Sequence, residues 1–122
     1  MKILIVEDSE VRTLFFEEAF KNHSLDFSTT STSAICLLED DEYDCIFLDM
    51  DLDDGLAQGI EVAKKIPLSE SRFADVIVHS MNIDAADRVG RLLPGVLIIP
   101  FAELRLNIEK HGEGWLEERA SQ

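Results

Sequence analysis

Positive charge is what this chain has least of. Eleven Lys and Arg stand against 25 Asp and Glu, a formal net charge of -14 over 122 residues. A surface so biased repels phosphate backbones and offers no basic face to anionic lipid, which excludes binding to nucleic acid or to a membrane surface by this chain alone. A cation or a basic partner surface is what it would attract. Cysteine is scarce too. Cys36 and Cys45 have no CxxC spacing and no metal-ligating companions, and each lies in an apolar context, so both are expected as buried free thiols. No apolar run approaches the roughly 20 residues that span a bilayer. The start, Met1-Lys2 and then a strand pattern, lacks the features of a secretory signal, so a cytoplasmic location is expected. Repeats and low-complexity linkers are missing as well, and residues 1–122 read as a single domain.

What is present is a regular alternation. Ile3-Leu4-Ile5-Val6 and Cys45-Ile46-Phe47-Leu48 are short apolar runs that read as strands buried on both faces. A weaker strand is expected over 25–29, a fourth over 75–79 and a fifth over 96–99. Ser9 suits a helix N-cap and Glu10 adds favourable charge in the first turn. Val11, Leu14, Phe15 and Ala19 set an apolar stripe behind them, widened by Phe16 and Phe20. Further helices are expected over 33–39, 59–66 (stopped by Pro67), 83–93 (ended by Pro94-Gly95) and 100–110. Residues 50–58 read as a loop. The segment from Gly112 onward is ambiguous, with Trp115 and Leu116 free either to pack back or to meet a partner.

Strands alternating with helices of this length predict a parallel sheet covered on both faces, an α/β three-layer sandwich of (βα)5 type. Right-handed crossovers leave few topologies. The flavodoxin-like order 2-1-3-4-5 would set strands one and three side by side at the switch point, where open α/β sheets bind ligands. Both of those strands end in acid. Glu7-Asp8 follows Val6, and Asp49 follows Leu48 with Asp51, Asp53 and Asp54 close behind. Clustered carboxylates repel one another unless a hard cation neutralises them. Ser80 follows the fourth strand. His79 precedes it, and adjacent strand residues face opposite ways, so His79 either lies against a helix as a core histidine or is twisted into the pocket. Asp53 and Asp54 suit a solvated turn beside Gly55 or a wider cation site.

Taken in this order the residues resemble the receiver domain of two-component response regulators, the CheY-like kind, over nearly the whole chain. Glu7-Asp8 is similar to the family's acidic pair, Asp49 to its phospho-accepting aspartate, Ser80 to its Ser or Thr after strand four, and Pro100-Phe101 to its Pro-Phe after strand five. Tyr43-Asp44 ahead of the third strand is family-like as well. The resemblance implies a phosphorylation switch in a phosphorelay. Magnesium or another divalent cation would be held by Asp8, Asp49 and the main-chain carbonyl of Asp51, with Glu7 acting through bound water. Asp49 would accept a phosphoryl group from a sensor histidine kinase or phosphotransfer protein, and Ser80 would hydrogen-bond a phosphoryl oxygen. Any enzymatic activity would be self-dephosphorylation at most. With no separate output domain, the signal would leave by contact with a downstream protein target. The face carrying Val89, Leu92, Leu93 and Leu104 would serve that contact or a homodimer, or would simply be core.

The departures from the family are specific. Its lysine stands just before the strand-five proline, and here that position is Ile99. Arg88 and Arg91 are distant alternatives for the charge. Val96 stands at the aromatic switch position, and Asp53 where a proline is common. A second reading is therefore a pseudo-receiver that binds partners without phosphorylation. A third comes from Asp49-Met50-Asp51, which resembles the first motif of haloacid-dehalogenase-type phosphatases. There a receiver-derived scaffold would hydrolyse a phosphoester or process a cyclic phosphate, with Asp49 attacking, Asp51 shuttling the proton and His79 assisting.

Overall fold

Strands and helices alternate along the chain in the computed structural model, which describes residues 1–50, 56–79, 83–112 and 114–120. The order is β1 (Lys2–Val6), α1 (Glu10–Ala19), β2 (Ser24–Ser28), α2 (Ser31–Asp40), β3 (Cys45–Leu48), α3 (Leu56–Lys65), a 3₁₀ turn (Ile66–Leu68), β4 (Asp75–Val78), α4 (Ile83–Leu92), β5 (Leu97–Ile98), α5 (Phe101–His111) and α6 (Gly114–Ala120). The strands form one parallel sheet in the order β2-β1-β3-β4-β5. This is the flavodoxin-like arrangement, with β1 and β3 adjacent. Among the described residues no helix is long and apolar enough to cross a membrane.

The two-residue period of the strands sorts the core into two layers. Leu4, Val6, Ile46, Leu48, Val76 and Val78 face the side of α2, α3 and α4, meeting Ala34, Leu38, Ile60, Ala63 and Val89. Ile3, Ile5, Cys45, Phe47 and Ile77 face the other side, meeting Phe16 and Phe20 of α1, Leu104 and Ile108 of α5, and Trp115 and Leu116 of α6.

Several expectations need correction. Val11 and Leu14 are exposed rather than part of the buried stripe of α1. The face that packs on the sheet is set by Phe16 and Phe20, four residues apart, and Val11 and Leu14 fall off it. Cys36 is exposed, because Ala34 and Leu38 turn the core-facing side of α2 away from it; only Cys45 is buried. α2 begins at Ser31, where Thr30 caps it by accepting the Ser33 N–H at 3.2 Å. β5 shrinks to two residues. α3 starts upstream of Gly59, and that glycine matters: a Cβ on it would lie 3.2 Å from the carbonyl oxygen of Met50, so the helix can run close to the residue after Asp49. Val89, Leu93 and Leu104 are buried, which settles them as core.

The ambiguous tail packs back. Gly112 takes a φ of +63°, open to glycine at no steric cost, and its N–H caps α5 on the Ile108 carbonyl at 2.7 Å. The reversal brings Trp115 and Leu116 into the core beneath Phe47. Arg119 then closes a two-point pair with Asp75 at 2.7 and 2.8 Å while lying over the Trp115 ring.

Candidate functional site

Backbone hydrogen bonds extend the sheet by one residue beyond its strands. Asp49 N–H donates to the Val6 carbonyl at 3.0 Å, His79 N–H to Leu48 at 3.1 Å, and Ile99 N–H to Val78 at 2.9 Å. Glu7, Asp49, His79 and Ile99 therefore stand in one row across the carboxyl edge. They continue the parity of Ile5, Phe47, Ile77 and Leu97, so the row lies on the side of α1 and α5.

Glu7 organises the row. Its Oε2 accepts the backbone N–H groups of Asp8 at 3.0 Å and Ser9 at 3.1 Å, which turns the carboxylate onto the N-terminus of α1. Its Oε1 pairs with His79 Nε2 at 3.0 Å. Burial would push Glu7 up, but hydrogen bonds from His79, Asp49 and the Ser9 N–H, with the His79 charge, outweigh it and hold the carboxyl at about 2, below its ordinary 4.5. The contact between Glu7 and Asp49 joins two carboxyl groups, and such a pair needs a proton or a cation between its oxygens.

Glu7, Asp49 and His79 are all buried, and one potential ligand atom from each lies within 4.8 Å of the others. His79 is both of the things its position allowed: its ring packs on Phe16 at 5.6 Å and Phe101 at 5.8 Å, while Nε2 reaches the acids. With Nε2 hydrogen-bonded to Glu7, Nδ1 is the ring nitrogen left to give or take a proton. Among the described residues that atom is buried without a hydrogen-bond partner, a state that a bound molecule would relieve. Asp8 is half-buried beside this group and does not belong to the cluster. Asp51, Asp53 and Ser80 lie outside the described residues. Ile99 is buried and apolar where a lysine would have supplied charge. Arg88 and Arg91 border a hollow with Ile60 and Lys64 of α3, on the far side of the sheet from the row.

Among the described residues, the Lys or Arg side chain that reaches the acids is Arg12. Its Nη1 lies 3.6 Å from Glu7 Oε1 and its guanidinium sits 4.6 Å from the centre of the Phe101 ring. The sequence held one sign of this: Arg12 stands four residues before Phe16, on the same helical face.

The depressed Glu7 carboxyl has a pH signature. A group held below its unfolded value adds stability that is complete above that value, here 4.5, and is lost as pH falls towards about 2. In metal-free buffer, Glu7→Gln should cost roughly 1–3 kcal/mol near neutral pH, since it weakens the bonds around a buried acceptor. By circular dichroism, its deficit in urea midpoint against the wild type should stay level down to about pH 5 and shrink below it. A deficit that holds constant to about pH 2.5 would show that Glu7 is not held low.

The family of cyclic-phosphate processing receiver domains matches residues 2–94. No curated protein matches the sequence. Among solved structures, the Mn²⁺-bound form of the response regulator Rcp1 is 22% identical with a TM-score of 0.78, over 95% of this chain and 94% of that one. The receiver domain of a sensor histidine kinase from Pseudomonas aeruginosa, with magnesium in its active-site cleft, is 22% identical at a TM-score of 0.72, over 95% and 97%. A response regulator from Burkholderia pseudomallei carrying a phosphorylated aspartic acid is 14% identical at 0.74, over 98% of this chain and 71% of that one. At these identities the solved structures share the fold with this chain.

Proposed function

Because the chain belongs to the cyclic-phosphate processing receiver family over residues 2–94, we propose that it binds a cyclic phosphodiester at the carboxyl edge of its sheet and opens it to a linear phosphomonoester. The observation that carries this reading is His79, a buried imidazole in register with Asp49, gripped at Nε2 by Glu7 and, among the described residues, unpartnered at Nδ1. The apolar Ile99 points the same way, because a standing aspartyl phosphate would lack its usual cation there.

The residues divide the work by atom. Asp49 attacks phosphorus; an Oδ–P bond forms, the endocyclic P–O bond breaks, and the departing oxygen takes a proton from Nδ1 of a His79 ring that enters the step protonated on both nitrogens and leaves it neutral. Water then attacks phosphorus, the P–Oδ bond breaks to release Asp49, and the water proton returns to Nδ1. Glu7 keeps Nε2 occupied throughout, so that proton exchange is confined to the other ring nitrogen. The donor set also suits a divalent cation, since Glu7 and Asp49 are hard oxygen ligands already pressed together, with Asp8 adjoining. Held by these residues, such an ion would supply charge to offset that of the phosphate oxygens. Asp51, where a second proton shuttle was expected, is not required by this scheme. A small cyclic ester with one negative charge also suits a chain of net charge -14 better than any polyphosphate.

Phosphorylation of Asp49 by a kinase or phosphotransfer partner is the second reading, favoured by the acid at the end of β3 and disfavoured by Ile99. Incubation with 2′,3′- and 3′,5′-cyclic nucleoside monophosphates should yield linear monophosphate, resolved by chromatography, with Mg²⁺ or Mn²⁺ and not with chelator. His79→Asn should slow the reaction by roughly 10²- to 10⁴-fold. No product from either ring size with metal present, alongside a persistent acyl phosphate on Asp49 after acetyl phosphate treatment, would replace this proposal with the second reading.

A further inference from the structure

Hydrolysis of a phosphate ester at a site built from carboxylates poses a charge problem. Glu7, Asp8 and Asp49 repel the anion they are meant to receive, and a divalent ion held by them would offset only part of that charge. The position on β5 that would carry a lysine is Ile99, which contributes to the core beside Phe101. We infer that Arg12 is the anion-binding residue of this site and takes an oxygen edge of the phosphate with its guanidinium, an inference that rests on the reading above for its substrate.

Three observations separate this role from that of a simple partner for Glu7. First, Glu7 is already satisfied: Oε1 has His79 Nε2 at 3.0 Å, Oε2 has two backbone N–H groups, and Asp49 is bonded as well. Arg12 Nη1, at 3.6 Å, is beyond hydrogen-bond range of the same oxygen. Its attraction to Glu7 is one of charge, and its donors remain unspent among the described residues. Second, the guanidinium is held in place by a surface rather than by bonds. It lies over Phe101, whose ring in turn meets Phe15 and Phe16, so the fork is positioned without a hydrogen bond taking up its edge. Third, the Arg12 side chain is 38% exposed where that of Glu7 is fully covered, which places the cation at the mouth of the site and the carboxylate at its floor. Arg105 offers the contrast. It too lies over a phenylalanine, Phe15, but its Nε is bonded to Glu109 at 2.9 Å. Lys2, Lys21, Lys64 and Arg119 likewise pair with acids away from the row. A planar fork with free donors is suited to two-point recognition of a phosphate.

The test uses the whole chain and inorganic phosphate as the probe, with Mn²⁺ present. Phosphate affinity is read by calorimetry and Mn²⁺ affinity by the electron paramagnetic resonance of the free ion. Arg12→Gln should weaken phosphate binding roughly 10- to 100-fold, and Arg12→Lys should restore part of it as a point charge without the fork. Mn²⁺ should bind Arg12→Gln as well as or better than the wild type, because a like charge has gone. In cyclic-ester turnover the same change should raise KM more than it lowers kcat. Unchanged phosphate affinity in Arg12→Gln, or no phosphate binding by the wild type, would overturn the inference. So would a parallel loss of phosphate and Mn²⁺, which would mean that Arg12 serves only to place Glu7. Because phosphate binding needs no turnover, a wild type that binds phosphate through Arg12 yet opens no cyclic ester would leave Arg12 standing and remove the proposed reaction.

Discussion

Asp49→Asn should eliminate turnover of a cyclic phosphate, by roughly 10³-fold or more, while leaving the protein folded. Asparagine keeps the shape of the side chain and its ability to bond Glu7, but its amide cannot attack phosphorus or share a cation as a carboxylate does. The Glu7–His79 pair at 3.0 Å does not pass through Asp49 and should survive the change. Circular dichroism and thermal unfolding should therefore differ little from the wild type. Activity retained in Asp49→Asn would move the attack to water and leave Asp49 without its proposed role. Substituting Asp49 also tests the second reading, since a protein that accepts a phosphoryl group there would lose its phosphoprotein mass increment. Only the first reading couples that loss to disappearance of the linear monoester.

The second large effect falls on stability. Phe47 is fully buried on β3, its ring centre 4.8 Å from that of Phe16, 5.4 Å from Phe20 and 6.4 Å from Trp115. It joins α1, α6 and the central strand in one cluster. Phe47→Ala should cost roughly 3–5 kcal/mol, the transfer energy of the ring and the cavity it leaves. Against a total near 5–15 kcal/mol for a domain, that brings the chain close to unfolding at ordinary temperature. The expected readout is a large drop in urea midpoint with little change in slope. Phe73, which is 88% exposed, is the matched comparison; Phe73→Ala should shift stability by no more than about 0.5 kcal/mol. If the two substitutions cost the same, the aromatic cluster does not hold this side of the sheet.

Much of this architecture was legible in the residues. β1 and β3 read clearly because strands covered on both faces must be apolar without interruption, and the switch from Val6 to Glu7 and from Leu48 to Asp49 marks where cover ends. The family's acidic pair and its aspartate follow from that. The rotation of α1 did not read correctly. Hydrophobicity alone gives Val11 and Leu14 the same claim to the core as Phe16 and Phe20, and only packing against Phe47 decides between them. Arg12 was missed for that reason: its reach into the acid row depends on a helix orientation that one-dimensional periodicity leaves open. The sequence favours His79 as a core histidine over a pocket residue, and the structure makes it both. Its place follows from the backbone bond to Leu48, which carries the β4 ladder one residue further and sets its parity with Asp49. The tail was unreadable because its helix is short, and its position depends on Gly112 and on the distant Asp75.

The level ending of the four strands carries a wider implication. Sheet hydrogen bonds run through main-chain atoms and are indifferent to the side chain each residue bears. Glu7, Asp49, His79 and Ile99 are thus four interchangeable seats along a fixed rim. An acceptor could diverge into a hydrolase, or the reverse, by exchanging occupants at two of those seats, with no loop rebuilt and no strand moved.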